Sequence, residues 1–212
     1  MTRKYKGLFI TLEGIEGAGK STHMEYIASL LKSSGKKILC TREPGGTLIG
    51  NKLRDILLFR KKGYQLSHKA ELLLMFAARQ QHLDEVIRPA LNAGKIVLCD
   101  RFTDSTFAYQ GGGRKIRPEV IRQLVKVVHP DLKPDLTLLF DLPVKQGLKR
   151  VNLRSRPDSF ESEKIAFFER VRRTYLKIAK SEPRRVKVID AAKDIETVQQ
   201  IIMKTLKMKK LC

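Results

Sequence analysis

Short apolar runs recur along the chain and alternate with longer amphipathic stretches. The runs are Leu8–Leu12, Lys37–Thr41, Ile96–Cys99, Leu136–Asp141 and Val186–Ile189. They are rich in Leu, Ile and Val, the pattern of strands buried on both faces of a sheet. Between them, apolar residues return every three or four positions: Met24, Ile27, Ala28 and Leu31; then Leu53–Phe59, Glu71–Leu91 and Val120–Val128; then Phe168, Val171, Tyr175 and Ile178. That spacing predicts helices with one apolar face. Another helix is expected to begin after Pro143. The alternation predicts an α/β fold, a parallel sheet with helices on both faces, with ligands gathering at the carboxyl ends of the strands. No repeat, low-complexity linker or second apolar core interrupts the pattern, so residues 1–212 are expected to form one domain.

Four loops leave those strand ends carrying charge or glycine: Arg42–Gly46, Asp100–Arg101, Arg150–Glu161 and Asp190–Lys193. The first strand is followed by Gly14-Ile15-Glu16-Gly17-Ala18-Gly19-Lys20-Ser21-Thr22, a full match to GxxxxGK[ST] between a strand and a helix. Glycines there let successive N–H groups turn inward, and the helix behind adds the positive end of its dipole. Lys20 can reach the outer phosphates of a nucleoside triphosphate, and the Ser21 hydroxyl can ligate Mg²⁺. The second strand ends in Thr41-Arg42-Glu43-Pro44-Gly45-Gly46-Thr47, a stiff turn where backbone can approach a ligand. The third ends in Asp100-Arg101-Phe102, a metal-facing carboxylate beside an arginine able to fork onto phosphate. Asp104–Gly113 follows, a hydrogen-bonding stretch expected to end in a flexible glycine loop.

The formal net charge of +21 on 212 residues asks for an explanation. Nucleic acid or an anionic membrane is one reading; a solvated basic surface around a phosphate site is the other. Basic residues are spread along the chain, with clusters at Arg150–Arg156, Arg170–Lys180 and Lys204–Lys210, which favours the second. A basic nucleic-acid-binding protein switched by ATP would need a coherent groove with interleaved aromatics. The chain has no tryptophan, and its aromatics fall at apolar helix and strand positions. Cys40, Cys99 and Cys212 show neither disulfide nor metal spacing. With no run of membrane-spanning length and no signal-like segment, a cytoplasmic setting is expected.

Taken together, GIEGAGKST, TREPGGT, AELLLMFAAR, DRFTDSTFAYQGGG and a late VID resemble the thymidylate kinase family from Gly7 to about Lys204. The resemblance implies a P-loop kinase fold with five parallel strands, a small mobile lid at about 150–161, and a homodimer; from the charge distribution and the lack of a spanning run, neither specific nucleic acid nor membrane is expected as a partner. It implies transfer of a phosphoryl group from ATP–Mg²⁺ to dTMP. Lys20, Ser21 and the rest of the glycine loop would hold ATP, with Asp100 beside the metal. Arg42, Arg54 and Arg101 would lie near the acceptor phosphate, with Glu43 and Pro44 in the same turn. Glu16 matches the carboxylate that meets the sugar 3′-hydroxyl, and Tyr109 the ring that crowds out a 2′-hydroxyl. Arg79, Thr106 and Gln110 match positions that read the thymine edge. A nucleoside monophosphate kinase of other base preference would differ at these positions.

Three departures stand out. Members usually stack the base on a phenylalanine four residues before the base-reading arginine; here that position is Met75, followed by Phe76. Either Met75 takes the stacking face or a helix shift brings Phe76 there. Some members carry an arginine in the glycine loop after the sugar-contacting acid, and this chain has Gly17. Many carry one after the aspartate matching Asp158, and this chain has Ser159. The missing cation is then expected from Arg154, with Arg156 the second choice.

Overall fold

The computed structural model describes residues 4–58, 65–152, 160, 163–209 and 211. Its frame is a five-stranded sheet in the order β2-β3-β1-β4-β5, every pair parallel. The strands are β1 (Leu8–Glu13), β2 (Ile38–Arg42), β3 (Ile96–Asp100), β4 (Leu136–Asp141) and β5 (Val186–Asp190), each within two residues of its expected span. Central β1 is buried from Phe9 to Glu13, as a strand flanked by partners and covered on both faces must be.

Alternation along β1 separates the two faces. Ile10 and Leu12 pack with Ile27 and Leu31 of α1 (Lys20–Ser33) and with Val198 and Ile202 of α9 (Ile195–Met208). Phe9 packs on the other side with Leu83, Ile87 and Leu91. These belong to a continuous rod made of α3 (His68–His82), a wide π-helical segment (Leu83–Ile87) and α4 (Arg88–Asn92). The helical reading of 71–91 therefore holds, with the start moved back to the Ser67 cap, whose hydroxyl accepts from Ala70 N at 3.2 Å. Helix α2 (Leu48–Leu58) likewise starts earlier than periodicity suggested, because Thr47 Oγ1 accepts from Gly50 N at 2.9 Å.

The flexible glycine loop expected at the end of Asp104–Gly113 is corrected. The segment is helical throughout: α5 (Thr103–Thr106) runs into a π-helical stretch, Phe107–Gly113. Gly112 and Gly113 are required by close packing on α8 (Ile165–Ser181): a Cβ on Gly112 would stand 2.2 Å from Thr174 Oγ1, and one on Gly113 2.4 Å from the Phe167 ring. Arg170 of α8 donates to the carbonyls of Gly112 and Gly113 at 3.3 and 2.9 Å. One member of a basic cluster read as solvated surface is thus a clamp on the interior. Arg150 is also relocated: it lies within α7 (Val144–Asn152), after the helix begins where Pro143 suggested.

At the end of α6 (Pro118–Val128), His129 is buried against the rings of Phe76 and Phe102. Its Nε2 meets Thr103 Oγ1 at 2.9 Å, and its Nδ1 donates to Leu132 O at 3.0 Å. Burial, helped by the Arg79 charge, lowers its pKa to about 4. The fold therefore favours the neutral ring: its stabilising effect is complete above pH 6.5 and lost as pH falls toward 4. Between pH 7 and 5, His129→Gln is expected to lose about 2 kcal/mol less stability than the parent protein, measured by urea unfolding at both pH values. Equal losses would contradict a neutral buried ring.

Candidate active site

The site begins where β1 gives out. Glu13 is fully buried, and its carboxylate accepts from Phe102 N at 2.7 Å, Ser105 Oγ at 2.6 Å and Tyr175 OH at 3.0 Å. Burial, and then the nearby Asp104 charge, raise its pKa to about 7. The chain next turns through the glycine loop. Gly17 has φ 73°, and a Cβ on it would stand 2.3 Å from Gly147 O. Helix α7 therefore lies directly on the loop, and a side chain at Gly17 would push it away. The arginine that some relatives place there has no room in this packing. Arg150 of α7 donates to Gly17 O at 3.3 Å and to Ala191 O at 3.2 Å, bridging the loop to the turn after β5.

Lys20 is buried, with its Nζ donating to Gly14 O at 3.2 Å and Ile15 O at 3.0 Å. The loop thus curls around its own lysine. Burial first, and the Arg101 charge second, lower the Lys20 pKa to about 8, with Asp100, Glu16 and Glu13 opposing them.

A cavity of about 230 Å³ opens beside the loop. Glu16 through Thr22 line one end, while Glu43, Pro44, Arg54, Met75, Arg79, Asp100, Arg101, Thr106, Tyr109 and Gln110 line the rest. Most residues singled out in the sequence are therefore brought to one place. A neighbouring groove of about 880 Å³ is larger, but only Ser21 and Asp100 belong to both. Chemistry rather than size identifies the site, because the phosphate loop and the convergent polar groups face the smaller space. Arg42 is exposed and lines the groove, not the cavity. Of the two residues competing for the stacking position, Met75 lines the cavity. Phe76 is buried behind it with Leu72 and Ile121. Arg154 and Arg156 of the expected lid, together with Ser159, lie outside the described residues.

Arginine–carboxylate pairs shape the cavity. Arg101 stands in the left-handed region (φ 70°), and its guanidinium lies 4.9 Å from the Tyr109 ring centroid. It donates to Glu16 Oε1 at 2.9 Å, and Tyr109 OH meets both Glu16 oxygens at 2.7 and 2.6 Å. Arg54 donates to Pro44 O at 2.9 Å, fixing the turn after β2.

Arg79 is almost wholly buried between the rings of Phe76 and Phe102, at 5.0 and 4.9 Å. Its Nε donates to Glu43 Oε2 at 2.7 Å and its Nη2 to Thr106 Oγ1 at 3.0 Å. Among the described residues, Nη1 is buried with no hydrogen-bond partner. Burial alone would raise the Glu43 pKa, but Arg79 and the hydrogen bond from His82 hold it below its ordinary value. Asp100 Oδ1 is also buried without a partner among these residues. Such orphaned groups point to a ligand that completes them.

Leu58, Phe102, Ser105 and Phe160 also line the cavity, and sequence reasoning assigned them no role. Glu13 and Tyr175, which support it from beneath, were missed as well. The available signal was a charged residue closing an otherwise apolar strand and a tyrosine on the apolar stripe of a helix.

A family model described as "Thymidylate kinase" matches residues 12–202. A relative of that name from Pseudomonas syringae pv. tomato is 56% identical over 200 residues, covering 94% of this chain and 95% of its own. Another from Pseudomonas putida is 55% identical over 196 residues, covering 92% and 93%. Among solved structures, the crystal structure of thymidylate kinase from Ehrlichia chaffeensis superposes with a TM-score of 0.77 at 37% identity, over 95% of this chain and 98% of that one.

Lys20 is charged below about pH 8 and neutral above it, so the affinity of the free protein for a nucleoside triphosphate should fall as pH rises through that value. Displacement of a fluorescent ATP analogue between pH 7 and 9.5 should show a loss of about tenfold or more. A flat profile would remove Lys20 from phosphate binding.

Proposed function

The chain belongs to the thymidylate kinase family and phosphorylates dTMP to dTDP with ATP as donor, and from that premise we propose how its residues divide the work. The observation that carries the acceptor assignment is Arg79, a rigidly sandwiched guanidinium that lines the cavity and whose buried Nη1 is unpaired among the described residues. A 4-oxo pyrimidine brings an acceptor to that donor, whereas a 4-amino base brings another donor. Met75 offers its polarizable surface to the ring face, and Thr106 and Gln110 complete the edge. Glu16, oriented by Arg101 and Tyr109, meets the sugar 3′-hydroxyl, and the Tyr109 ring stands where a 2′-hydroxyl would need space. Arg101 and Arg54 hold the acceptor phosphate. Glu43 and Pro44 act through the Arg79 and Arg54 side chains they hold. Arg42, facing the groove, is left as a peripheral charge.

On the donor side, the glycine loop from Gly14 to Thr22 cradles the ATP phosphates and Lys20 supplies a fixed cation. Oxygen donors suit a hard divalent ion, and Asp100, whose Oδ1 has no partner among the described residues, lines the cavity together with Ser21, a pair of oxygen donors that fits Mg²⁺. Bound there, the ion would neutralise phosphate charge. We assign the second cation to Arg154, with Arg156 in reserve, because Gly17 leaves the loop without one. Residues 1–212 are read as one cytoplasmic kinase domain with no specific nucleic-acid partner. Exposed Ile49 and Ile56 of α2 and Leu73 of adjacent α3 support pairing into a homodimer, which sedimentation of the purified chain tests.

Two turnover measurements test this division. In an acceptor panel with ATP and Mg²⁺, dTMP should be preferred, dUMP poorer and purine monophosphates inactive, with the ribo analogue of dTMP disfavoured through Tyr109. AMP or CMP matching dTMP in kcat/KM would overturn the assignment. Arg154→Ala should lower kcat by about a hundredfold while changing the KM for dTMP little, because its contact forms in the reacting state. Near-normal turnover in Arg154→Ala and Arg156→Ala alike would eliminate the lid-arginine mechanism.

A further inference from the structure

Glu71 lies in α3, is fully buried, and has no part in the roles assigned above. Its carboxylate accepts from Gln110 Nε2 at 2.9 Å. Arg114 forks onto it, with Nε 3.2 Å from Oε1 and Nη2 3.2 Å from Oε2. Arg114 is itself nearly buried, pairs also with Glu163, and lies over the Phe160 and Phe167 rings at 5.4 and 4.9 Å. A charge pair placed this deep gives little net stability, because desolvation offsets the attraction. Its distinctive effect is on the neighbouring amide.

A carboxylate only accepts hydrogen bonds, so Gln110 must turn its NH₂ end toward Glu71. The end left for the cavity, which Gln110 lines, is the carbonyl oxygen. We infer that Glu71, held by Arg114, is a positioning residue that sets the hydrogen-bond polarity of the acceptor site by making Gln110 an acceptor toward the base. The inference rests on the reading that Gln110 faces the base. With Nη1 of Arg79 as donor, the same cavity then presents both a donor and an acceptor. The 4-oxo, N3–H edge of thymine is complementary to both. The 4-amino, unprotonated N3 edge of a cytosine opposes both, and each mismatch leaves a buried polar group unpaired.

Glu71→Gln removes the constraint. The new carbonyl can still accept from Arg114, while its NH₂ now faces Gln110, whose amide turns and shows NH₂ to the cavity. The probes are dTMP and 5-methyl-dCMP, which differ only at the 4-substituent and the N3 proton. In Glu71→Gln, kcat/KM for dTMP should fall about tenfold or more, and kcat/KM for 5-methyl-dCMP should rise in absolute value. A general loosening of the site would lower both and leave their ratio unchanged, and that result would overturn the inference. Gln110→Leu separates the two levels. If it leaves the ratio unchanged, Gln110 does not face the base and the underlying reading fails. If it changes the ratio but Glu71→Gln does not, the reading stands and the role of Glu71 falls. Should Glu71→Gln not fold, Glu71→Asp keeps the charge for Arg114 while withdrawing it from Gln110 by one methylene. The same drop in ratio is then expected, and an unchanged ratio counts against the inference.

Discussion

The carboxylate of Glu13, buried at the last residue of the central strand, holds together the parts on which the site depends. It cannot remain there without donors, and it draws them from three elements: the backbone of Phe102 after β3, the hydroxyl of Ser105 in α5 and the phenol of Tyr175 in α8. Each donor lies beside a functional group. Phe102 follows Arg101 and forms one wall of the Arg79 sandwich. Arg101 in turn reaches Ser105 and Tyr175 at 3.3 Å each, and Gly14 O at 3.0 Å. The glycine loop, Arg101 and the long helix α8 are thereby referred to one buried acid. Moving any of them would strand polar groups away from water.

The same device recurs through the fold. Arg79 meets Glu43, Arg101 meets Glu16, Arg114 meets Glu71, and Arg185 forks onto Asp104 at 2.7 and 3.1 Å while also reaching Thr137. Exposed lysines supply much of the chain's positive charge, but these buried arginines are each matched by an acid. Such pairs fix direction: a guanidinium held by one edge points its remaining donors one way. In a reaction whose catalysis is mainly placement of charge, preorganised donors lower the barrier without having to reorient as charge moves. The aromatic rings of Phe76, Phe102 and Tyr109 add flat walls that keep these guanidinium planes from turning.

Much of this protein follows from local pattern. Buried parallel strands need continuous apolar runs, and amphipathic helices need three-to-four-residue spacing, so all five strands and the main helices could be placed from sequence. The glycine loop was legible for the same reason, since its chemistry resides in contiguous residues with a strand before and a helix after. Residues of the second and third strand-end loops, with Met75 and Arg79 on α3 and Tyr109 and Gln110 beyond β3, were singled out as candidates, and the fold brings most of them to one cavity.

What sequence could not decide are matters of long-range contact. Whether Met75 or Phe76 faces the cavity depends on the rotation of α3, which packing against Ile121 and His129 sets from afar. The helical state of Phe107–Gly113, with three glycines against it in local propensity, rests on packing against α8, whose Thr174, Arg170 and Phe167 leave no room for a side chain at Gly112 or Gly113. Arg42 and Arg101 look alike in the chain as arginines at strand ends. Only the tertiary structure sends one into a groove and locks the other to Glu16. Glu13, Glu71 and Arg114 read as ordinary charges because their partners lie 39 to 162 residues away. Periodicity records which face of an element is buried; it carries no record of which distant donor will meet a buried acid, and that pairing orients the site.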